Sequence, residues 1–190
     1  MIHDRRIPKD GLLHHYEAIS VRYGKINSMQ KFTQKYTIIC LLEDKEEGYE
    51  YPSNSWPLHT TLADTFAIEK DINALKTLLD DLVTKVKRTS VEATHNEYFG
   101  PNQDIKVTVL DKNNVIKDLH YEIMDSLESL GVKFNDPQYT KDGFKPHATA
   151  QEHSEVKVGE SININNLAIV DMFPNHDAYQ RKILKKVNLN

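Results

Sequence analysis

The 190-residue chain has a single cysteine, Cys40, so no disulfide can close within it and no cysteine-built metal site is available. No long apolar stretch follows the opening residues Met1-Ile2-His3-Asp4-Arg5-Arg6. No signal peptide or membrane span is therefore expected, and a cytoplasmic location is. Neither a glycine-rich phosphate loop nor a dinucleotide fingerprint occurs. A basic excess is missing too: 24 Lys and Arg stand against 28 Asp and Glu, for a formal net charge of -4. Binding of long duplex DNA needs a basic face, so a small or short anionic substrate in a local pocket is the expectation instead.

What remains is an ordinary globular balance, 39% hydrophobic and 27% charged. The length suits one large domain or two small lobes sharing a core. Residues 1–35 are polar and irregular, with Leu12, Leu13, Tyr16 and Ile19 able to form one face of a short helix. They are read as an N-terminal extension of unknown role before a domain over residues 36–190. A buried strand is expected over 36–43, where Cys40 sits in a continuous apolar run and reads as a buried structural thiol. A loop follows over 44–55, then a strand over 56–63.

Ile72, Leu75, Leu78, Leu79, Leu82, Val83 and Val86 recur at helical spacing and predict a helix over 69–87, capped by Thr65 or Asp64. Strands over 91–99 and 104–110 flank the turn Gly100-Pro101-Asn102. A second amphipathic helix is predicted over 114–130, stopped by Gly131. Strands over 146–151, 162–173 and 180–188 complete the order. Strands and helices mix without βαβ alternation, so the fold class is α+β with a largely antiparallel sheet. Each half carries one amphipathic helix and one strand with a His-x-Thr triplet.

Those triplets are His59-Thr60-Thr61 and His147-Ala148-Thr149. In a strand, residues two apart share a face. His59 and Thr61 therefore face one way and Leu58, Thr60 and Leu62 the other; His147 and Thr149 likewise oppose Pro146, Ala148 and Ala150. Side by side, the two strands would set two imidazoles and two hydroxyls in one groove. Imidazole serves as base or acid near neutrality, and Thr hydroxyls donate to non-bridging phosphate oxygens. The set matches acid–base cleavage of a phosphodiester, with no protein nucleophile and no metal required.

Two hydrophobic-flanked His-x-Thr motifs in one chain, the second written Phe144-Lys145-Pro146-His147-Ala148-Thr149, resemble those of the two-histidine (2H) phosphoesterase superfamily. That superfamily includes 2′-5′ RNA ligase-like proteins and cyclic phosphodiesterases. The likeness runs from about residue 36 to the C-terminus. It implies two similar lobes of antiparallel strands with helices outside, around a central groove, and His59, Thr61, His147 and Thr149 as catalytic residues. It also implies a phosphoric diester hydrolase without cofactor, able in principle to run in the ligating direction, on a nucleotide or short RNA. Ala150 departs from the bulkier apolar residue usual after the second Thr.

Tyr139 and Phe144, in the loop entering the second motif, are candidate substrate contacts, since loops beside a rigid site often carry them. His3, His14, His15, His95, His120, His153 and His176 read as surface or satisfied residues. His147, Glu152 and His153 do not have the spacing of a helical zinc site, so no metal ligands are assigned. Two other readings stay open: a non-catalytic module gripping RNA ends or a nucleotide in the same groove, and a metallohydrolase. The exact substrate, the acid and base assignments and the oligomeric state are not legible at this level.

Overall fold

A computed structural model describes residues 34–190 of the chain. The expected short helix around Leu12–Ile19, and His3, His14 and His15, lie outside the described residues. The described residues contain ten strands: β1 Tyr36–Leu41, β2 Glu50–Pro52, β3 His59–Ala67, β4 Thr89–Phe99, β5 Ile105–Leu110, β6 Lys133–Phe134, β7 His147–Thr149, β8 Ser161–Ile164, β9 Asn166–Asp171 and β10 Gln180–Asn188. Among the described residues two α-helices accompany them, α1 Ile72–Lys85 and α2 Asn114–Glu128. The sheet order is β2-β10-β9-β1-β3-β7-β5-β4-β8, with β6 attached to β3, and every pairing is antiparallel. The architecture is the expected α+β.

Burial explains the layering. Leu75, Leu78, Leu79 and Leu82 of α1 are buried, as are Ile116, Leu119, Ile123, Met124 and Leu127 of α2. They share one core with Ile38 and Cys40 of β1, Leu62 of β3, Ala148 of β7 and Ile169 of β9. Alternate residues of the same central strands turn the other way. Ile39 and Leu41 join Ala168, Val170, Tyr51 and Ile183 in a second, smaller apolar cluster. Strand β1 is thus buried on both faces, which is why it reads as a continuous apolar run rather than an alternating one.

Several boundaries differ from expectation. The cap of α1 is Asp71, not Thr65 or Asp64: its side chain accepts from the backbone N–H groups of Asn73 and Ala74. Thr65 and Asp64 are absorbed into β3, which runs to Ala67 because Phe66 packs beneath Tyr36 and pairs with Phe134. The loop over 44–55 contains the short strand β2, and the strand expected over 162–173 is split at Asn165 into β8 and β9. β8 pairs with β4 at one end of the sheet, and β9 lies between β1 and β10 in its other half. A chain that changes neighbours this way needs a break. The helix expected to 130 ends at Glu128, followed by Gly131 at φ +67 with its N–H on the Glu128 carbonyl. That is the left-handed position glycine favours.

Candidate active site

Strands β3 and β7 are neighbours at the centre of the sheet, with Thr60 directly opposite Ala148. In an antiparallel ladder that register sets His59 across from Thr149 and Thr61 across from His147. The four residues therefore form a two-by-two patch on one face, with the two imidazoles on its diagonal. Behind it, Thr60 and Ala148 are fully buried toward the helices, at 0% and 1% exposure. The division of each motif into a packing face and a polar face is as the spacing predicts.

The flanking strands continue this face with hydrocarbon. On β1, Leu41 lies opposite His59 and Ile39 opposite Thr61. On β5, Val109 lies opposite His147 and Val107 opposite Thr149. All four apolar residues are buried. A polar strip two strands wide is thus hemmed by apolar strips on both sides, and the charged forms of its groups are poorly solvated.

Both histidines are held in the same way. His59 Nδ1 lies 2.7 Å from the carbonyl oxygen of Pro57, and His147 Nδ1 lies 2.8 Å from that of Lys145. A carbonyl only accepts, so each Nδ1 carries the proton and each Nε2 is left as the nitrogen able to take up a further one. An aromatic ring braces each imidazole: Trp56 at 4.8 Å from His59, and Phe99 edge-on at 4.8 Å from His147.

Burial pushes the His59 pKa down to about 4, opposed by the Pro57 carbonyl and helped by the nearby His147. The His147 pKa is also lowered, chiefly by burial. The Lys145 carbonyl and the carboxylates of Asp64 and Glu97 oppose that shift, and the Lys145 ammonium adds to it. No hydrogen bond to the Thr61 or Thr149 hydroxyl comes from the described residues, so both are free to donate.

Asp64 was not anticipated. Strict alternation from Thr61 would turn it toward the helices with Leu62. Instead the β1–β3 register slips between Ile39–Thr61 and Ile38–Ala63, so Leu62 and Ala63 both enter the helix-side core. The bulge re-aims Asp64 onto the face that bears the histidines. Its carboxyl is partly buried, which raises its pKa; one oxygen accepts the Thr65 N–H. A polar residue inside an otherwise apolar stretch (Leu62-Ala63-Asp64-Thr65-Phe66) was the available signal.

Asp64 lines a cavity of about 580 Å³ together with Thr61, His147, Phe99, Tyr139 and Phe144. The two loop candidates differ in kind. Tyr139 is 58% exposed at this cavity, whereas Phe144 is buried with its ring flat on His120, 4.0 Å away and 3° from parallel. His120 ties the loop down. Its Nδ1–H donates to the Leu62 carbonyl at 2.7 Å and its Nε2 accepts the Lys141 N–H at 2.8 Å. Gly143 completes the turn, since a Cβ there would lie 1.9 Å from the Gln138 carbonyl oxygen. His120→Phe keeps the stacking but strands both backbone partners. It is expected to lower unfolding stability by about 2–4 kcal/mol in urea denaturation; a loss under about 0.5 kcal/mol, the range of a surface change, would show that the two bonds do not hold the loop.

The other described histidines lie elsewhere. His95 is exposed and bonded to Glu97, His153 is exposed beside Glu152, and His176 packs on Phe173. Among the described residues no three His, Cys, Asp or Glu side chains converge to hold a metal ion, and no helix is long and apolar enough to cross a membrane.

Two solved structures share this fold. A phosphoesterase crystal structure matches with a TM-score of 0.51 and 16% identity, and E. coli LigT complexed with 3′-AMP matches with 0.50 and 14%. In each case 83% of this chain and 98% of the other are covered. No family model matches the chain, and no curated protein matches it in sequence. The fold is the α+β fold of that phosphoesterase and of LigT, which agrees with the resemblance drawn from the two motifs.

Proposed function

We propose that residues 36–190 form a two-lobed phosphoesterase domain that cleaves a ribose-linked phosphodiester by paired histidine acid–base catalysis, without a metal. The observation that carries this reading is the register. It sets His59, Thr61, His147 and Thr149 on one face, with both Nε2 atoms free of hydrogen-bond partners among the described residues and apolar strips on either side. The 3′-AMP in the LigT structure supports a nucleotide as ligand. Substrates of the right chemistry are 2′,3′-cyclic phosphates, 2′-5′ linkages in short RNA and cyclic oligonucleotides.

The pair is asymmetric, and this assigns roles. His59 is braced by the indole of Trp56 and has Glu43 as its one acting carboxylate; His147 has two, Asp64 and Glu97, set against the Lys145 ammonium. A single proton shared by the pair resides on His147. In the hydrolytic direction neutral His59 takes the proton of the attacking water or hydroxyl through Nε2, and His147 gives its Nε2 proton to the leaving ribose oxygen. Thr61 and Thr149 donate to the non-bridging oxygens as charge redistributes between them. After turnover the proton lies on His59 and returns to His147 through solvent.

The test is turnover of 2′,3′-cyclic nucleotides, 2′-5′ dinucleotides and cyclic dinucleotides in EDTA. Hydrolysis of at least one class, unchanged by the chelator, is the expected result. Activity that EDTA abolishes and one divalent metal restores would turn the reading to a metallohydrolase. Tight nucleotide binding without turnover would turn it to a binding module.

A further inference from the structure

The cavity beside His147 contains more than phosphodiester cleavage requires. Cleavage uses groups within reach of one phosphorus atom. The cavity is lined by Asp64, Phe99 and Tyr139 as well as by Thr61 and His147, and at about 580 Å³ it has the size of a small-molecule site. Tyr139 is more than half exposed, and among the described residues no other ring stacks on it. Asp64 is brought to this face by the β3 bulge, and among the described residues Thr65 alone donates hydrogen bonds to its carboxylate.

From this arrangement we infer that the cavity is a nucleobase site and that Asp64 selects guanine. The inference rests on the phosphodiesterase reading for the placement of the phosphate at His147 and Thr61. A carboxylate offers two acceptors side by side and no donor. Guanine alone among the four bases answers with two adjacent donors on its Watson–Crick edge, N1–H and the N2 amino group. Adenine and cytosine each set an amino group beside a bare ring nitrogen, whose lone pair faces a carboxylate oxygen. Uracil sets one N–H between two carbonyl oxygens. The wrong bases thus lose a bond and gain a repulsion, the combination that gives discrimination. Lys145, whose ammonium is paired with Glu97 and lies 5.5 Å over the Phe99 ring, is a donor in the same cavity lining for the O6 acceptor of guanine. Stacking on Tyr139 adds affinity without base preference.

The experiment measures kcat/KM for the 2′,3′-cyclic phosphates of guanosine, adenosine, cytidine and uridine at pH 7, with wild type and Asp64→Asn. Binding of the four nucleoside 3′-monophosphates is followed by calorimetry on the same proteins. Asn keeps an oxygen for the Thr65 N–H, so the strand is retained. The expected result is a guanosine preference of about tenfold to a hundredfold, the scale of one bidentate base contact, that Asp64→Asn erases. The ratio between bases is the diagnostic quantity, because a change in the field at His147 would move all four substrates together. Equal turnover of the four, or a preference that survives Asp64→Asn, overturns the inference and leaves the catalytic reading intact. Guanosine-selective binding that depends on Asp64, with no turnover of any substrate, upholds the base site and overturns the phosphodiesterase. Neither turnover nor selective binding overturns both.

Discussion

His59→Ala and His147→Ala each lower kcat/KM by about 10² to 10⁴-fold on any substrate that the wild type turns over in EDTA. The double variant loses little more than either single one, because an acid and a base that act in one transition state are not additive. The reason lies in the matching anchorage of the two rings. Each Nδ1 is held by a backbone carbonyl two residues earlier, at Pro57 and Lys145, so only Nε2 exchanges protons and it does so from a fixed direction. Removing one ring leaves either the attacking oxygen without a base or the leaving oxygen without an acid. Both replacements lie on the sheet face away from the helices, while Thr60 and Ala148 keep the helix side closed. The variants are therefore expected to melt as single cooperative transitions. A loss below about tenfold in either folded variant is too small for a general acid or base and would falsify the pairing.

The second large effect is on pH. The profile of kcat/KM reports the free protein, in which, on the proposed mechanism, the active form holds one proton between the two histidines. That form is most populated between the two pKa values. Both lie below the ordinary 6.5, with His59 at about 4, because hydrocarbon strips flank the pair and desolvate its charged forms. The maximum is thus expected on the acid side, between about pH 4 and 6.5. From pH 6.5 to 8.5 kcat/KM should fall about a hundredfold, a factor of ten per unit as the single proton is lost. A maximum above pH 7.5 would mean that the apolar flanks do not depress the pair. Stability carries the opposite sign. Between pH 6.5 and about 4 the unfolded chain binds a proton at His59 that the folded chain refuses. Folding stability is then full above pH 6.5 and declines as the pH falls through that window. On the proposed mechanism, activity peaks within the window over which this group's contribution to folding is being lost.

Much of the site was legible in the chain because a strand repeats every two residues. His59 with Thr61 and His147 with Thr149 had to share faces wherever the strands lay, and the buried partners Thr60 and Ala148 followed from the same rule. Helices α1 and α2 were legible from their 3.6-residue apolar rows. Boundaries were not, because they depend on distant partners. Thr65 looks like a helix cap until Phe66 finds Tyr36 and Phe134, and the segment over 162–173 looks like one strand until its ends pair with different neighbours. Phe144 looked like a loop aromatic, yet it lies flat against His120, a residue 24 positions earlier in the chain.

The sequence by itself determined the α+β class, the two polar faces and the chemistry that two imidazoles and two hydroxyls can perform, since these follow from local periodicity and side-chain type. Only the tertiary structure decided that β3 and β7 are adjacent with Thr60 against Ala148, that Ile39, Leu41, Val107 and Val109 wall the pair in hydrocarbon, and that a one-residue slip in β3 swings Asp64 into the cavity. Register is a property of pairs of strands. No single strand carries it, and a slip of one residue reverses which face every later side chain occupies.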